Sequence, residues 1–69
     1  MKEHDISIVI PIYNEEENIP TLHNKVRSVM KKLNIRYEII FVDDGSIDNS
    51  FKVLEGLHRK DKNVKIIKF

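Results

Sequence analysis

The sequence predicts an α/β fold built on a parallel sheet, in the order strand, helix, strand, helix, strand. Three observations lead there. Short runs rich in β-branched and aromatic residues recur at 6–12, 37–42 and 64–69. The stretches between them carry apolar residues three or four apart, the spacing of one helix face. Each of those stretches is long enough to carry a crossover helix back along a sheet.

The first run, Ile-Ser-Ile-Val-Ile-Pro-Ile over 6–12, is too short for an independent helix and reads as a strand buried on both faces. Pro11 lacks a ladder donor, so the strand is expected to leave the sheet there. From Asn18 onward, Ile19, Leu22, Val26, Val29, Met30 and Leu33 form a helical stripe. Asn18 suits the N-cap, Pro20 falls in the first turn where its missing N–H costs nothing, and Asn34 is a natural stop. Residues 37–42, Tyr-Glu-Ile-Ile-Phe-Val, form a second strand that ends in the turn Asp43-Asp-Gly-Ser46. A second helix is expected over 48–59, capped by Asp48, with Phe51, Leu54, Leu57 and His58 along one side. The third strand runs over 64–69. Right-handed crossovers would lay both helices against a sheet of order 3-2-1, half of a doubly wound domain, with the first strand at an edge.

Composition narrows the function. Sixty-nine residues make at most one small domain, and a chain of that size buries only about 60% of the surface that it exposes unfolded. There is no cysteine, so neither a disulfide nor a thiolate metal site can staple it. Twelve Lys and Arg against eleven Asp and Glu leave a net charge of +1 with the signs interspersed, which argues against a nucleic-acid partner. No apolar run approaches the roughly 20 residues of a membrane span. The first five residues lack the basic start and apolar stretch of a signal peptide, which points to the cytoplasm or a cytosolic face. His4, His23 and His58 are too scattered for a metal site.

In an open α/β sheet, ligands bind beyond the carboxyl ends of the strands. Two loops meet that description. One presents Tyr13, Asn14, Glu15, Glu16 and Glu17; the other presents Asp43, Asp44, Ser46 and Asp48. With only two glycines in the chain, Gly45 and Gly56, neither the Gly-x-Gly-x-x-Gly dinucleotide cradle nor a P-loop can be built.

The segment Ile8-Val-Ile-Pro-Ile-Tyr-Asn-Glu-Glu-Glu-Asn18, followed by Tyr37-Glu-Ile-Ile-Phe-Val-Asp-Asp-Gly-Ser-Ile-Asp48, resembles the opening of family 2 glycosyltransferases. Its look-alikes are the dolichol-phosphate mannosyltransferase and polyprenyl-phosphate glycosyltransferase branch. The resemblance implies a Rossmann-like βαβαβ amino-terminal half of a GT-A domain, so that residues 1–69 are a partial nucleotide-sugar-binding domain. It also implies a nucleoside pocket lined by Pro11, Tyr13 and Glu15, with Phe41 at its wall and Asp43 hydrogen-bonding the nucleoside. The chemistry is apt, since an aromatic ring offers a stacking surface and a carboxylate accepts from base N–H or ribose hydroxyls. The implied partners are a nucleoside-diphosphate sugar and, in a full-length parent, a lipid-phosphate acceptor. Magnesium or manganese would belong to a later Asp-x-Asp motif outside residues 1–69, which leaves no cofactor and no catalytic residue in this chain, and independent transfer activity is not expected. The family's further strands would lie beyond the first, so the 69 residues alone would expose an apolar edge at 7–10 and self-associate.

Each residue also has a plainer reading. Pro11 can simply terminate a strand, Tyr13 can be a loop aromatic, and Glu16 and Glu17 can be solvated acids near a helix start. Asp44, Ser46 and Asp48 suit turns and caps. Asp43 resists such a reading, because a carboxylate beside Val42 at a strand end needs a partner. Two other classes stand beside the enzyme: a structural or interaction fragment with no ligand, and a receiver-like signalling module, whose acidic pair would follow the first strand rather than the second.

Overall fold

A computed structural model describes residues 4–69; the expectation that the amino terminus leads directly into a strand rests partly on Met1, Lys2 and Glu3, which lie outside the described residues. The elements run β1 (Ile6–Ile12), α1 (Ile19–Leu33), β2 (Tyr37–Asp43), α2 (Ser50–Lys60) and β3 (Val64–Lys68). The three strands are parallel, with β2 between β1 and β3. The anticipated order and the edge position of β1 are therefore found.

Both helices lie on one face, as two crossovers of one hand moving in the same direction along a sheet must. That face carries Ile8, Ile10 and Ile12 of β1, Tyr37, Ile39, Phe41 and Asp43 of β2, and Val64 and Ile66 of β3, matched across the strands by the register. Ile12, Ile39, Phe41 and Val64 are closed off with Ile19 and Leu54 of the helices, and Leu22, Val26, Met30, Val53 and Leu57 pack around them.

The opposite face is bare, which corrects the reading of β1 as a strand buried on both sides. Val9 is 61% exposed there and Ile67 47%. Pro11 also stays in the sheet, paired with Val42, and the ladder continues to Ile12 and Asp43. The reason is geometric. Ile6 N–H donates to Arg36 O and Asp44 N–H to Ile12 O, so the even-numbered residues of β1 bond to β2. Alternation turns the nitrogen of Pro11 to the free edge, where a missing N–H costs nothing.

The helix ends match expectation in part. Asn34 adopts the left-handed conformation at φ 55° and closes α1 with its N–H on Lys31 O and Met30 O. Asn18 occupies the N-cap position without a side-chain bond: its backbone is already helical, Pro20 at the second helical position has no N–H to offer, and the N–H groups of Asn18 and Ile19 donate to Glu15 O at 2.9 and 3.1 Å. α2 starts later than anticipated, with Asn49 at its N-cap. Asp48 still does a cap's work from one residue earlier, its Oδ1 accepting the Ser50 N–H at 2.9 Å.

Candidate functional site

The two loops anticipated from the sequence meet at the carboxyl end of the sheet because β1 and β2 are neighbours and end together, Ile12 opposite Asp43. They are joined by hydrogen bonds that run both ways. The backbone N–H groups of Asn14, Glu15 and Glu16 donate in turn to Ser46 Oγ (3.0 Å), Ser50 Oγ (2.9 Å) and Asp48 Oδ2 (3.3 Å). In return, Asn14 Oδ1 accepts the N–H of Ile47 at 2.8 Å and of Asp48 at 3.4 Å, and Glu16 Oε1 accepts that of Asn49 at 3.5 Å. Asn14 makes these contacts from a left-handed backbone, φ 51°, a conformation that asparagine tolerates better than most residues. Gly45, at φ 77°, supplies the tight turn of the second loop.

Asp43 sits at the root of this assembly with no exposed surface. Its Oδ1 accepts the backbone N–H of Ser46 at 3.0 Å, while Oδ2 is buried and meets no donor among the described residues. A buried acceptor left unpaired costs on the order of 1–3 kcal/mol, so such groups call for an explanation where they occur. Lys68 is the residue opposite Asp43 on β3, yet its ammonium lies over the Phe51 ring, 4.3 Å from the centroid.

The sequence-derived residues divide. Tyr13, 58% exposed, and Glu15, also exposed, lie on the first loop beside the end of β2 that carries Asp43. Pro11 and Phe41 do not join them at one surface. Pro11 pairs with Val42 on the bare face, across the sheet from Asp43, and Phe41 is buried in the core one turn of the pleat before it. A polar cleft of about 260 Å³ opens alongside, lined by Asn14, Glu15, Glu16, Glu17, Asn18 and Asp48; of the five sequence-derived residues it includes Glu15 alone. Glu16 is more than a solvated acid, since it is half-buried and bonded across the loops. Asp44, as expected, is an exposed turn residue.

Asn14, Ser46 and Ser50 carry more of this site than the sequence suggested. The available signal was weak: an asparagine just past a strand end suits a left-handed turn, but its partners lie more than thirty residues away. The hydrogen bond from Ser50 holds the Asp48 carboxyl below the usual range, aided by the N–H groups of Ser50 and Glu16 and opposed by burial. No three His, Cys, Asp or Glu side chains converge to hold a metal ion among the described residues. Among these residues, too, no helix is long and apolar enough to cross a membrane.

Residues 7–69 match glycosyl transferase family 2. The chain is 50% identical over 58 residues to an undecaprenyl-phosphate 4-deoxy-4-formamido-L-arabinose transferase of Pseudomonas fluorescens, a stretch that is 84% of this chain and 17% of that protein. It is 52% identical over 54 residues to the protein of the same name in Proteus mirabilis, covering 78% of this chain and 17% of the relative. An uncharacterized glycosyltransferase of Synechocystis is 43% identical over 63 residues, 91% of this chain and 20% of its own length. The chain thus spans a fifth or less of these relatives. With two acidic loops tied together at the end of a βαβαβ parallel sheet and a match over nearly its whole length, the chain belongs to glycosyl transferase family 2.

Proposed function

We propose that these residues form the donor-nucleotide-binding part of a glycosyltransferase that moves a sugar from a nucleoside-diphosphate sugar to a polyprenyl phosphate. The observation that carries the reading is Asp43, a buried carboxyl group with one oxygen tied to Ser46 and the other without a donor. A base N–H or a ribose hydroxyl is the kind of group that would complete it. Tyr13 offers an exposed ring for stacking, Glu15 a second acceptor, and Pro11 and Phe41 shape the strand ends beneath them. Because Oδ2 is closed off, binding requires the two tied loops to shift together enough to admit the donor. The names of the relatives, undecaprenyl-phosphate transferases, support the acceptor class. A cytoplasmic location, or the cytosolic face of a membrane, belongs to the same proposal, as does a magnesium or manganese ion held by residues of a longer protein.

Asp43→Asn in the full-length protein tests this reading. Asparagine retains an oxygen for the Ser46 N–H but loses the charge-assisted bond to the nucleoside. Affinity for uridine or guanosine diphosphate, measured by calorimetric titration, is expected to fall by roughly 1.5–3 kcal/mol, one to two powers of ten. Folding stability should change far less. A well-folded Asp43→Asn protein with wild-type affinity would remove the residue on which the proposal rests, and the alternative of a structural fragment without a ligand would take its place.

A second partner is proposed from the bare side of the sheet: another copy of the chain. Parallel sheets are covered on both faces in stable proteins. Here Val9 stands on the unpaired edge strand β1, and Ile67 and, at 78% exposure, Phe69 stand exposed at the β3 side of the sheet.

A further inference from the structure

We propose that Asn14 is a positioning residue for the nucleotide site, one that touches no ligand but sets the distance between Tyr13 and Asp43. The inference rests on the donor-site reading above. Three observations on the structure support it. First, an unbroken hydrogen-bonded sequence leads from Asp43 Oδ1 to the Ser46 backbone N–H, and from Ser46 Oγ to the Asn14 backbone N–H. Asn14 adjoins Tyr13, so the position of the exposed ring is referred through two bonds to the buried carboxyl group. Second, Asn14 ties the same two loops a second time through its side chain, whose Oδ1 accepts from Ile47 at 2.8 Å and Asp48 at 3.4 Å. The loops can then move only as a unit or by breaking several bonds together. Third, the left-handed backbone at φ 51° turns the chain sharply after Tyr13. A residue that both accepts that conformation and presents a side-chain acceptor must be Asn or Asp; glycine meets only the first requirement.

The role is separable from folding because Asn14 is exposed and outside the core. Asn14→Gly keeps the backbone conformation and removes the two side-chain bonds. Asn14→Asp restores an acceptor at the same place, with added repulsion from Glu15, Glu16 and Asp48 that salt screens. Titration of the full-length protein with uridine and guanosine diphosphates should show about a tenfold loss for Asn14→Gly, the size expected for one or two hydrogen bonds. In about 0.5 M salt, where charges are screened over roughly 4 Å, Asn14→Asp should recover most of that loss. The decisive readout is a double-mutant cycle. If Asn14 acts through the ring of Tyr13, adding Asn14→Gly to Tyr13→Ala should cost little more than Tyr13→Ala alone. Two full, additive losses would mean that Asn14 does not position Tyr13, and would overturn the inference.

Ser46→Ala provides an independent arm, since it removes the other link without touching the strained backbone. It should weaken binding and be non-additive with Tyr13→Ala, and it carries the test alone should Asn14→Gly fail to fold. The two levels of proposal fail in different ways. Wild-type affinity in Asp43→Asn, or no binding by the wild-type protein, sinks the donor site and this role with it. A loss in Asp43→Asn with wild-type binding in Asn14→Gly sinks the positioning role alone.

Discussion

Gly45 and Gly56 illustrate how two identical residues answer to different physics. Gly45 holds φ at 77°, and a Cβ there would meet no atom within 4 Å, so the cost of Gly45→Ala is one of backbone conformation rather than crowding. That cost should be about 1–2 kcal/mol. Gly56 lies within α2, likewise with open space where a methyl group would stand, and without a positive φ. There the added side chain restricts the unfolded chain and favours the helix, so Gly56→Ala should stabilise by roughly 0.5–1 kcal/mol. Denaturant melts of the two variants beside the wild type should move in opposite directions. A destabilised Gly56→Ala protein would show that α2 is packed more tightly along that side than its surroundings indicate. The same residue-scale reasoning makes Asn14 and Asn34 distinctive, since both occupy left-handed positions. Asn34 was legible as a helix stop because the signal is local; the cross-loop role of Asn14 was not, because Ile47 is 33 positions away.

At the scale of elements, α1 and α2 are joined by a single polar tie among the described residues, His23 Nε2 to Asp61 Oδ2 at 2.8 Å, at the carboxyl end of α2. Burial alone pushes the Asp61 carboxyl up. The hydrogen bond from His23, the N–H of Asn63 and the positive charges of His23 and Arg27 together outweigh burial and hold it below its ordinary value of 3.8. A carboxyl group depressed on folding contributes stability that is present above its unfolded pKa and is lost as pH falls through the folded one. Stability should therefore begin to decline as pH drops through the ordinary aspartate range near 3.8 and go on declining below it. Asp61→Asn should flatten that part of the profile while leaving the neutral region lower, which melts from neutral pH down through the acid limb would reveal. An unchanged acid limb in Asp61→Asn would mean that the tie contributes nothing net. The sequence marked residues 61–63 as the end of a helix, yet the pairing with His23 needed α1 and α2 side by side on one face.

On the scale of the whole molecule, the sheet is covered on one face and bare on the other, and its β1 edge is unpaired. The 69 residues alone should self-associate at high micromolar concentration, with sedimentation reporting species larger than one chain. Val9→Lys places a charge on the bare face of the edge strand, at a position already 61% exposed. It should reduce association with little loss of stability, as lysines do on natural sheet edges. A wild-type chain that sediments as a clean monomer and unfolds cooperatively would count against this account of the bare face.

The amino-acid sequence by itself determined the element order, the buried character of β2, the stop at Asn34 and the absence of a glycine cradle. Each follows from propensity or periodicity within a few residues, and such interactions act wherever the segment finds itself. It also carried the two motifs that mark the family. Only the tertiary structure decided that β1 keeps a bare face and retains Pro11 in its ladder, that Phe41 closes the core instead of walling a surface, and that Asn14, Ser46 and Ser50 bind the two loops together. Those outcomes depend on which strand stands next to which and on donors and acceptors more than thirty residues apart. A strand's second face is buried, and a distant hydrogen bond made, only by neighbours that the fold supplies.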